Sequence, residues 1–296
     1  MTGGVTVTEH AEHERGSGFG DRLAEGLQAH GQVCVGIDPH PGIVTAWGLP
    51  DTAAGARDFG LRVVEAATGS AGIVKPQVGF FERHGSAGYA ALEDVLAAAR
   101  AAGLLVIADV KRGDIGSSVE AYGTAWLTPG SPLEADAITA VAYQGFGSLA
   151  PVVAMARKSA KGVFVLAATS NPEAAAPQKA VVTDGAEKGR TVASLAVRGA
   201  LAENEDAAVL GDVGVVIGAT VRMRDFGIDP TELAHIPILA PGFGHQGARA
   251  SELSALYGAV SRNVLVSASR SLVAAGPESV RDSIRDLRSE ISGVAS

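Results

Sequence analysis

One unit recurs along this chain: a short apolar stretch that ends in a polar or glycine residue, followed by a stretch with helical spacing. Short, nearly continuous apolar runs are typical of parallel strands that are buried on both faces. The predicted strands cover residues 33–37, 72–74, 104–108, 137–140, 163–167, 213–217, 236–240 and 263–266. Eight such units in 296 residues predict a (β/α)8 TIM barrel, an α/β fold, with an open doubly wound sheet as the alternative.

The segments around the strands complete a single predicted domain. Helices are predicted over residues 21–30, 89–102, 193–203, 251–261 and 278–291. Residues 1–18 are rich in glycine, glutamate and histidine without periodicity, which predicts a flexible N-terminal extension before a barrel domain of residues 19–296. Residues 172–190 also lack periodicity and are long for a connection, so a mobile lid and a simple insertion are both open.

Composition limits the partners of this chain. No apolar run approaches the ~20 residues of a membrane span, and a net charge of −8 argues against nucleic acid or membrane surfaces. The N-terminal residues show no secretory signal, and the single cysteine, Cys34, suits a reducing cytoplasm and lies in an apolar run, where we expect a buried thiol. The seven histidines show no ligand spacing, so we expect no metal site.

Charged residues follow the third predicted strand at once. Residues 104–118 read LLVIADVKRGDIGSS, so Asp109, Lys111 and Asp114 come directly after an apolar run. Side chains two apart on a strand point the same way, so Asp109 and Lys111 should face one side together. A surface ion-pair cluster, which contributes little to stability, is the alternative to a functional site.

Lys75 ends the second predicted strand, directly before Pro76. A lysine that extends its charge into solvent from a strand end is one interpretation. Adjacent strands of a barrel would instead bring Lys75 beside Asp109 and Lys111. Alternation of these lysines with Asp109 and Asp114 would let each charge offset its neighbours and would keep Lys111 protonated. A protonated lysine suits a proton donor rather than a Schiff-base nucleophile.

The loops after the seventh and eighth predicted strands carry the features of a phosphate site. The first of them is Gly-rich and contains Pro241, Gly242 and Gln246, and the second contains Arg270. Barrels commonly hold phosphate in these two loops through backbone N–H groups, and a guanidinium adds charge-assisted hydrogen bonds. Turn glycines and a surface arginine would explain either loop alone, but together the loops favour a phosphate site.

Two serines follow the charged stretch. Ser117 with Glu120 matches the S-x-x-E pattern of a helix capping box, which predicts that a helix begins after Ser117. Ser118 then lies in the first turn of that helix, where its hydroxyl can reach a ligand.

Taken together, these motifs resemble orotidine 5′-phosphate decarboxylases. The motif D-x-K-x-x-D-I at residues 109–115, with Lys75 before it and Arg270 after the eighth strand, carries the resemblance. The segments D-P-H-P at 38–41, K-P-Q at 75–77 and T-S-N-P at 169–172 are similar to the longer bacterial branch of that family. The resemblance spans roughly residues 33–273 and implies cofactor-free conversion of orotidine 5′-monophosphate to UMP and CO2, in pyrimidine biosynthesis, by a homodimer.

The resemblance also implies roles for individual residues. Asp109 would lie against the substrate carboxylate, and Lys111 would stabilise and then protonate the carbanion at C6. Asp114 would reach across the dimer interface into the partner's site, with Ser118 beside it. The other implied substrate contacts are Asp38 and Lys75 to the ribose, Ser170 to the pyrimidine, and Gln246 and Arg270 to the phosphate, with Pro241 and Gly242 in the same loop.

Two other functions compete with decarboxylation. A Mg²⁺-dependent sugar-phosphate aldolase or decarboxylase of the same superfamily shares the D-x-K-x-x-D motif but places an acidic metal ligand where this chain has Lys75, and a lysine repels a cation. A catalytically silent nucleotide-binding barrel would have no need of the full set of Lys75, Asp109, Lys111 and Asp114. Decarboxylation is therefore the leading hypothesis.

Overall fold

Eight parallel strands close into a barrel in chain order. The structure is a computed structural model that describes residues 18–244 and 247–293. Its strands are β1 (Val33–Ile37), β2 (Ile73–Pro76), β3 (Leu105–Arg112), β4 (Ala137–Ala140), β5 (Gly162–Ala168), β6 (Val213–Ile217), β7 (Ile238–Pro241) and β8 (Val264–Ala268). β1 pairs with β8 in parallel, so the predicted (β/α)8 fold is confirmed and the open sheet is wrong. The predicted extension lies outside the described residues except for Gly18, so the domain boundary stays a prediction.

Helices surround the barrel and connect its strands. They are α1 (Phe19–His30), α2 (Pro41–Ala46), α3 (Ala53–Ala67), α4 (Gly79–Glu82), α5 (Gly85–Ala101), α6 (Gly116–Leu127), α7 (Ala150–Lys158), α8 (Ala175–Lys179), α9 (Val192–Glu203), α10 (Leu253–Tyr257), α11 (Arg270–Val273) and α12 (Val280–Gly293). The helix predicted over residues 251–261 is instead the short α10 between two 3₁₀ turns. Gly258, at φ 57, adopts a left-handed conformation that interrupts it. Within the described ranges, no helix is long and apolar enough to cross a membrane.

The interior of the barrel is a packed core with a closed base. Each strand contributes one buried side chain to it: Cys34, Ile73, Ile107, Ala137, Phe164, Val216, Leu239 and Leu265. Phe19 of α1 is fully buried at the base and meets the Phe164 ring edge-on, with 6.0 Å between centroids. Gly162 is required there, because a Cβ on it would lie 2.3 Å from the Phe19 ring. With the base filled, the carboxyl end of the strands is the end where a ligand can bind.

Charged side chains are paired at the base, just before β4 and β5. Lys161 Nζ lies 2.8 Å from Glu134 Oε1 and 3.7 Å from Asp136 Oδ1. Arg22 of α1 donates to Asp136 Oδ1 at 2.9 Å, and the Val106 N–H donates to the other carboxylate oxygen at 2.9 Å. We call Arg22, Glu134, Asp136 and Lys161 the basal cluster.

The segment of residues 172–190 is more ordered than its sequence predicts. It contains a 3₁₀ turn at Pro172–Ala174 and then α8, whose five residues are too few to show a helical repeat. Gln178 of α8 accepts from the Thr169 N–H at 2.9 Å and donates to Thr169 Oγ1 at 3.0 Å. The segment is thus attached to the carboxyl end of β5.

Candidate active site

The candidate site is built on an irregularity in β3. The sequence predicted that this strand ends at residue 108, but it continues to Arg112. The prediction was too short because residues 109–112 include charged side chains, which lack the apolar pattern of a buried strand. Its register against β4 shifts between the pairs Ala108–Ile138 and Arg112–Ala140. Lys111 within this bulge has φ 48, a left-handed conformation that residues other than glycine rarely adopt. Bulges of this kind redirect side chains.

Asp109 lies between two ammonium groups. Lys75 Nζ is 2.9 Å from Asp109 Oδ2, and Lys111 Nζ is 2.6 Å from Asp109 Oδ1. The side chains of Lys75 and Asp109 are 9% and 12% exposed, whereas that of Lys111 is 44% exposed. The structure therefore brings these three predicted residues together, with one of the two cations open to solvent. We call them the mouth cluster.

Burial and charge act in opposite directions in the mouth cluster. Burial alone would raise the pKa of Asp109, but the charges and hydrogen bonds of Lys75 and Lys111 outweigh it and hold this pKa well below its usual range. Burial alone would lower the pKa of Lys75, but Asp109 and Asp38 outweigh it and hold this pKa above its usual range. Both groups therefore stay charged near neutral pH, so Lys75 is not the deprotonated amine that a Schiff base requires.

Two polar side chains that the sequence did not single out as site residues bind the mouth cluster. Thr139 of β4 donates its hydroxyl to Asp109 Oδ1 at 2.8 Å and accepts from the Lys111 N–H at 2.9 Å. The Gln77 amide fits best with its nitrogen donating to Asp109 Oδ2 at 2.7 Å and its oxygen accepting from Lys111 Nζ at 3.3 Å. The position of Thr139 at the carboxyl end of β4 was its only sequence signal, whereas Gln77 also lies in the K-P-Q segment after Lys75.

A pocket of about 120 Å³ adjoins the mouth cluster. Its lining residues are Asp38, Lys75, Pro241, Gly242, Phe243, Ser267, Ser269 and Arg270. The Asp38 Oδ1 atom is buried and has no hydrogen-bond partner among the described residues. A buried acceptor without a partner is costly, so this oxygen is suited to accept from a ligand hydroxyl. The pocket joins the predicted ribose contacts to the predicted phosphate residues.

The two predicted phosphate loops meet at this pocket. Gly242 directly follows β7 with φ 113, a conformation that favours glycine, and Arg270 is the first residue of α11. The Gly244 N–H donates to the Ala248 carbonyl at 2.9 Å, which connects the described ends of the first loop. Gln246 lies outside the described residues, so its phosphate contact stays a prediction.

Three other predicted residues lie outside the pocket. Ser118 and Ser170 are exposed, and the Asp114 carboxylate accepts from the neighbouring Ile115 N–H at 2.9 Å. Among the described residues of this chain, Asp114 forms no ion pair, so the alternation of charges does not extend to it. The predicted capping box is wrong, because α6 already begins at Gly116 and Ser117 therefore lies inside the first turn.

The described part of the chain holds no group of three or more histidine, cysteine or acidic side chains placed to bind a metal ion.

The side chain of Cys34 lies in the barrel interior. Burial is the largest influence on its thiol and raises the pKa of that thiol to about 12. The buried thiol that the sequence predicted is thereby confirmed.

A closed parallel barrel with a charged cluster and a pocket at the carboxyl ends of its strands defines a TIM-barrel enzyme site. The motif at residues 109–115 contributes most of that cluster. The sequence profile of the orotidine 5′-phosphate decarboxylase / HUMPS family matches residues 31–282, and the chain belongs to that family.

Curated relatives and solved structures agree with this assignment. The orotidine 5′-phosphate decarboxylase of Salinispora tropica is 48% identical over 264 residues, which cover 88% of this chain and 92% of the relative. That of Streptomyces coelicolor is 46% identical over 264 residues, with 88% and 91% covered. A crystal structure from Streptomyces avermitilis, of a protein assigned to the same activity, is 44% identical with a TM-score of 0.88 and covers 95% of this chain and 97% of its own. Leishmania donovani OMP decarboxylase is 32% identical with a TM-score of 0.72, with 94% and 98% covered.

Proposed function

We propose that this protein decarboxylates orotidine 5′-monophosphate to UMP and CO2, as the names of its relatives indicate. The observation that carries the proposal is the mouth cluster, in which an ionised and largely buried Asp109 is held between Lys75 and Lys111. The reaction belongs to pyrimidine biosynthesis, and we place it in the cytoplasm.

The pocket beside the cluster supports a placement for the nucleotide. Arg270 and the backbone after β7 hold the phosphate by charge-assisted hydrogen bonds. Asp38 accepts from a ribose hydroxyl through its unpaired Oδ1, beside Lys75. Ser170, which follows β5, binds the pyrimidine. This arrangement directs C6 and its carboxylate toward Asp109 and Lys111.

The charges of the mouth cluster favour loss of CO2. The substrate carboxylate lies against the fixed negative charge of Asp109, and the repulsion between them is relieved when neutral CO2 departs. The C6–carboxyl bond breaks and its electron pair stays on C6, where the Lys111 ammonium stabilises it. Lys111 then gives a proton to C6, which forms the C6–H bond of UMP, and the neutral amine regains a proton from solvent.

We propose that a second copy of the chain completes each site. Asp114 and Ser118 lie outside the pocket of their own chain, and Ile115 and Tyr143 near them are 60% and 88% exposed. The segment that carries Asp114 and Ile115 lies next to the segment that carries Tyr143. Their backbones are so close that a Cβ placed on Gly113 would lie 2.1 Å from the Val141 carbonyl oxygen. Exposed apolar residues beside a charged site residue suit a homodimer interface. Mixing inactive Asp114→Ala with inactive Lys111→Ala protein should restore activity, and no restoration would contradict shared sites.

We further propose that no metal ion or cofactor takes part. The ammonium groups of Lys75 and Lys111 already occupy the carboxylate oxygens of Asp109 and repel a divalent cation. This disfavours a Mg²⁺-dependent reaction on a sugar phosphate.

The test is the ultraviolet absorbance of orotidine 5′-monophosphate mixed with purified protein in EDTA, with wild type beside Lys111→Ala. We expect the orotate absorbance to be lost rapidly with wild type and at least about 10³-fold more slowly with the variant. Turnover of a sugar phosphate that requires Mg²⁺ would move the protein to the metal-dependent branch. Binding of UMP without turnover would leave only a nucleotide-binding barrel.

A further inference from the structure

We propose that Thr139 is a positioning residue for the proton donor: its buried hydroxyl holds the β3 bulge in the conformation that places Lys111 against Asp109. The proposal rests on the proposed decarboxylation. Thr139 itself is not expected to touch the substrate.

The bulge leaves β3 with more residues than its partner strand. Between the pairs Ala108–Ile138 and Arg112–Ala140, residues 109–111 of β3 lie opposite Thr139 alone. A bulge leaves backbone groups without their regular ladder partners. One of these groups is the Lys111 N–H, and it donates to Thr139 Oγ1 at 2.9 Å instead of to a backbone carbonyl of β4.

The same oxygen also orients Asp109. A hydroxyl has a single proton to donate, and Thr139 donates it to Asp109 Oδ1 at 2.8 Å. That carboxylate oxygen is the one that Lys111 Nζ contacts at 2.6 Å. One side chain, 1% exposed, therefore connects the backbone of Lys111 to the carboxylate that its own ammonium binds.

The conformation of Lys111 makes this connection necessary. At φ 48 its backbone is in a region that persists in a non-glycine residue only when the surroundings hold it. Without an acceptor on Thr139, the Lys111 N–H loses its partner and the extended region becomes the favoured alternative. A rotation of that kind turns the lysine side chain away from Asp109 Oδ1.

The decisive variant is Thr139→Val, which retains the shape of threonine and removes both hydrogen bonds. We expect kcat to fall about 10- to 100-fold, as expected when a catalytic group is displaced, with KM and the dissociation constant of UMP within about threefold, because the pocket residues Asp38 and Arg270 are unchanged. Thr139→Ser keeps the hydroxyl and should restore kcat to within about threefold of wild type.

Thr191→Val is a matched control. The Thr191 hydroxyl also accepts from one backbone N–H, that of Ser194, and donates to one neighbour, the Phe226 carbonyl. Thr191 caps α9, and among the described residues its hydroxyl forms no hydrogen bond with the mouth cluster, so its loss should lower stability and leave kcat unchanged.

Several outcomes would overturn the proposal. The first is a Thr139→Val enzyme with kcat within twofold of wild type, and the second is a serine variant as impaired as the valine variant. The third is a fall in the activity of Thr139→Val that equals the fall in the fraction of its chains that bind UMP, because partial unfolding would then explain the whole loss. Should Thr139→Val fail to fold, Thr139→Ala and Thr139→Ser decide by the same comparison. Absence of turnover in the wild type would instead contradict the proposed function, so the two failures are distinguishable.

Discussion

Two buried lysines lie at opposite ends of the same barrel, and each contacts carboxylates. At the base, Lys161 is 6% exposed and contacts Glu134 at 2.8 Å and Asp136 at 3.7 Å. At the mouth, Lys75 is 7% exposed and contacts Asp109 at 2.9 Å. The chemical groups are the same at both ends, so any difference in role must come from their surroundings.

The two ends differ in how many of their charged and polar atoms have a partner within the protein. In the basal cluster, the two carboxylate oxygens of Asp136 have partners in Arg22 and the Val106 N–H, beneath the apolar core. At the mouth, the Lys111 side chain is 44% exposed and the Asp38 Oδ1 atom has no partner among the described residues. Charges that the protein satisfies contribute to the fold, whereas charges that it leaves open can act on a ligand. The same division between base and carboxyl end is general in TIM barrels.

Backbone conformation follows the same division. Within the described ranges, Lys111 and Ala160 are the non-glycine residues with positive φ, at 48° and 52°. Arg22 of the basal cluster donates to the Ala160 carbonyl at 2.8 Å, and Thr139 accepts from the Lys111 N–H at 2.9 Å. At both ends a polar side chain thus holds an unfavourable backbone, but only at the mouth does that backbone belong to a residue that we propose as a proton donor.

The largest expected effect is the loss of activity in Lys111→Ala. We expect kcat to fall at least about 10³-fold, because the C6 carbanion loses the proton donor that we propose for it. The free energy of unfolding should change by less than about 1 kcal/mol, since a partly exposed ion pair contributes little. Orotidine 5′-monophosphate turnover and urea unfolding measure the two quantities. A variant with kcat within tenfold of wild type would remove Lys111 from the chemistry.

At the base we expect the reverse. Lys161→Met should lower the free energy of unfolding by about 2–4 kcal/mol, because it removes a buried cation from beside the partly buried Glu134 carboxylate and the buried Asp136 carboxylate. It should leave kcat within about twofold of wild type, because the basal cluster does not touch the pocket. Urea unfolding and the turnover assay measure both. A large fall in kcat with unchanged stability would show that the basal cluster acts on the reaction rather than on the fold.

A smaller effect is expected from pH at the mouth. The pKa of Asp109 is lower in the folded protein than in the unfolded chain, so its stabilising contribution is present above the unfolded value of about 3.9 and is lost as pH falls below it. Asp109→Asn should therefore be less stable than wild type at pH 7, and this gap should narrow by about 1 kcal/mol by pH 3. Urea unfolding at several pH values measures the gap, and a gap independent of pH would contradict the assignment.

The smallest effect is expected at Cys34, which lies in the barrel interior between the base and the mouth, and it concerns the reactivity of the thiol. Because its thiol is fully buried with a pKa of about 12, iodoacetamide at pH 8 should leave it unmodified in the native protein and modify it readily in urea. Mass spectrometry of the intact chain gives the result. Rapid native modification would show that the barrel interior opens.

The sequence predicted the features that depend on pattern and strand order. Buried parallel strands are continuously apolar, and adjacent strands bring Lys75 beside Asp109, so the barrel and the core of the mouth cluster could be predicted. The bulge in β3 could not, because it depends on the register between strands rather than on composition. Thr139 was missed for the same reason, since a threonine in an apolar run is an ordinary strand residue.

The division of roles between the two ends of the barrel is tested by the release of labelled CO2 from carboxyl-labelled orotidine 5′-monophosphate in EDTA by wild type, Lys111→Ala and Lys161→Met. We expect wild type and Lys161→Met to release CO2 and to form UMP in equal amounts at similar rates, whereas Lys111→Ala should release at least about 10³-fold less CO2 per unit time. Release by Lys111→Ala at the wild-type rate, or loss of release in a folded Lys161→Met protein, would contradict the division between a catalytic mouth and a structural base.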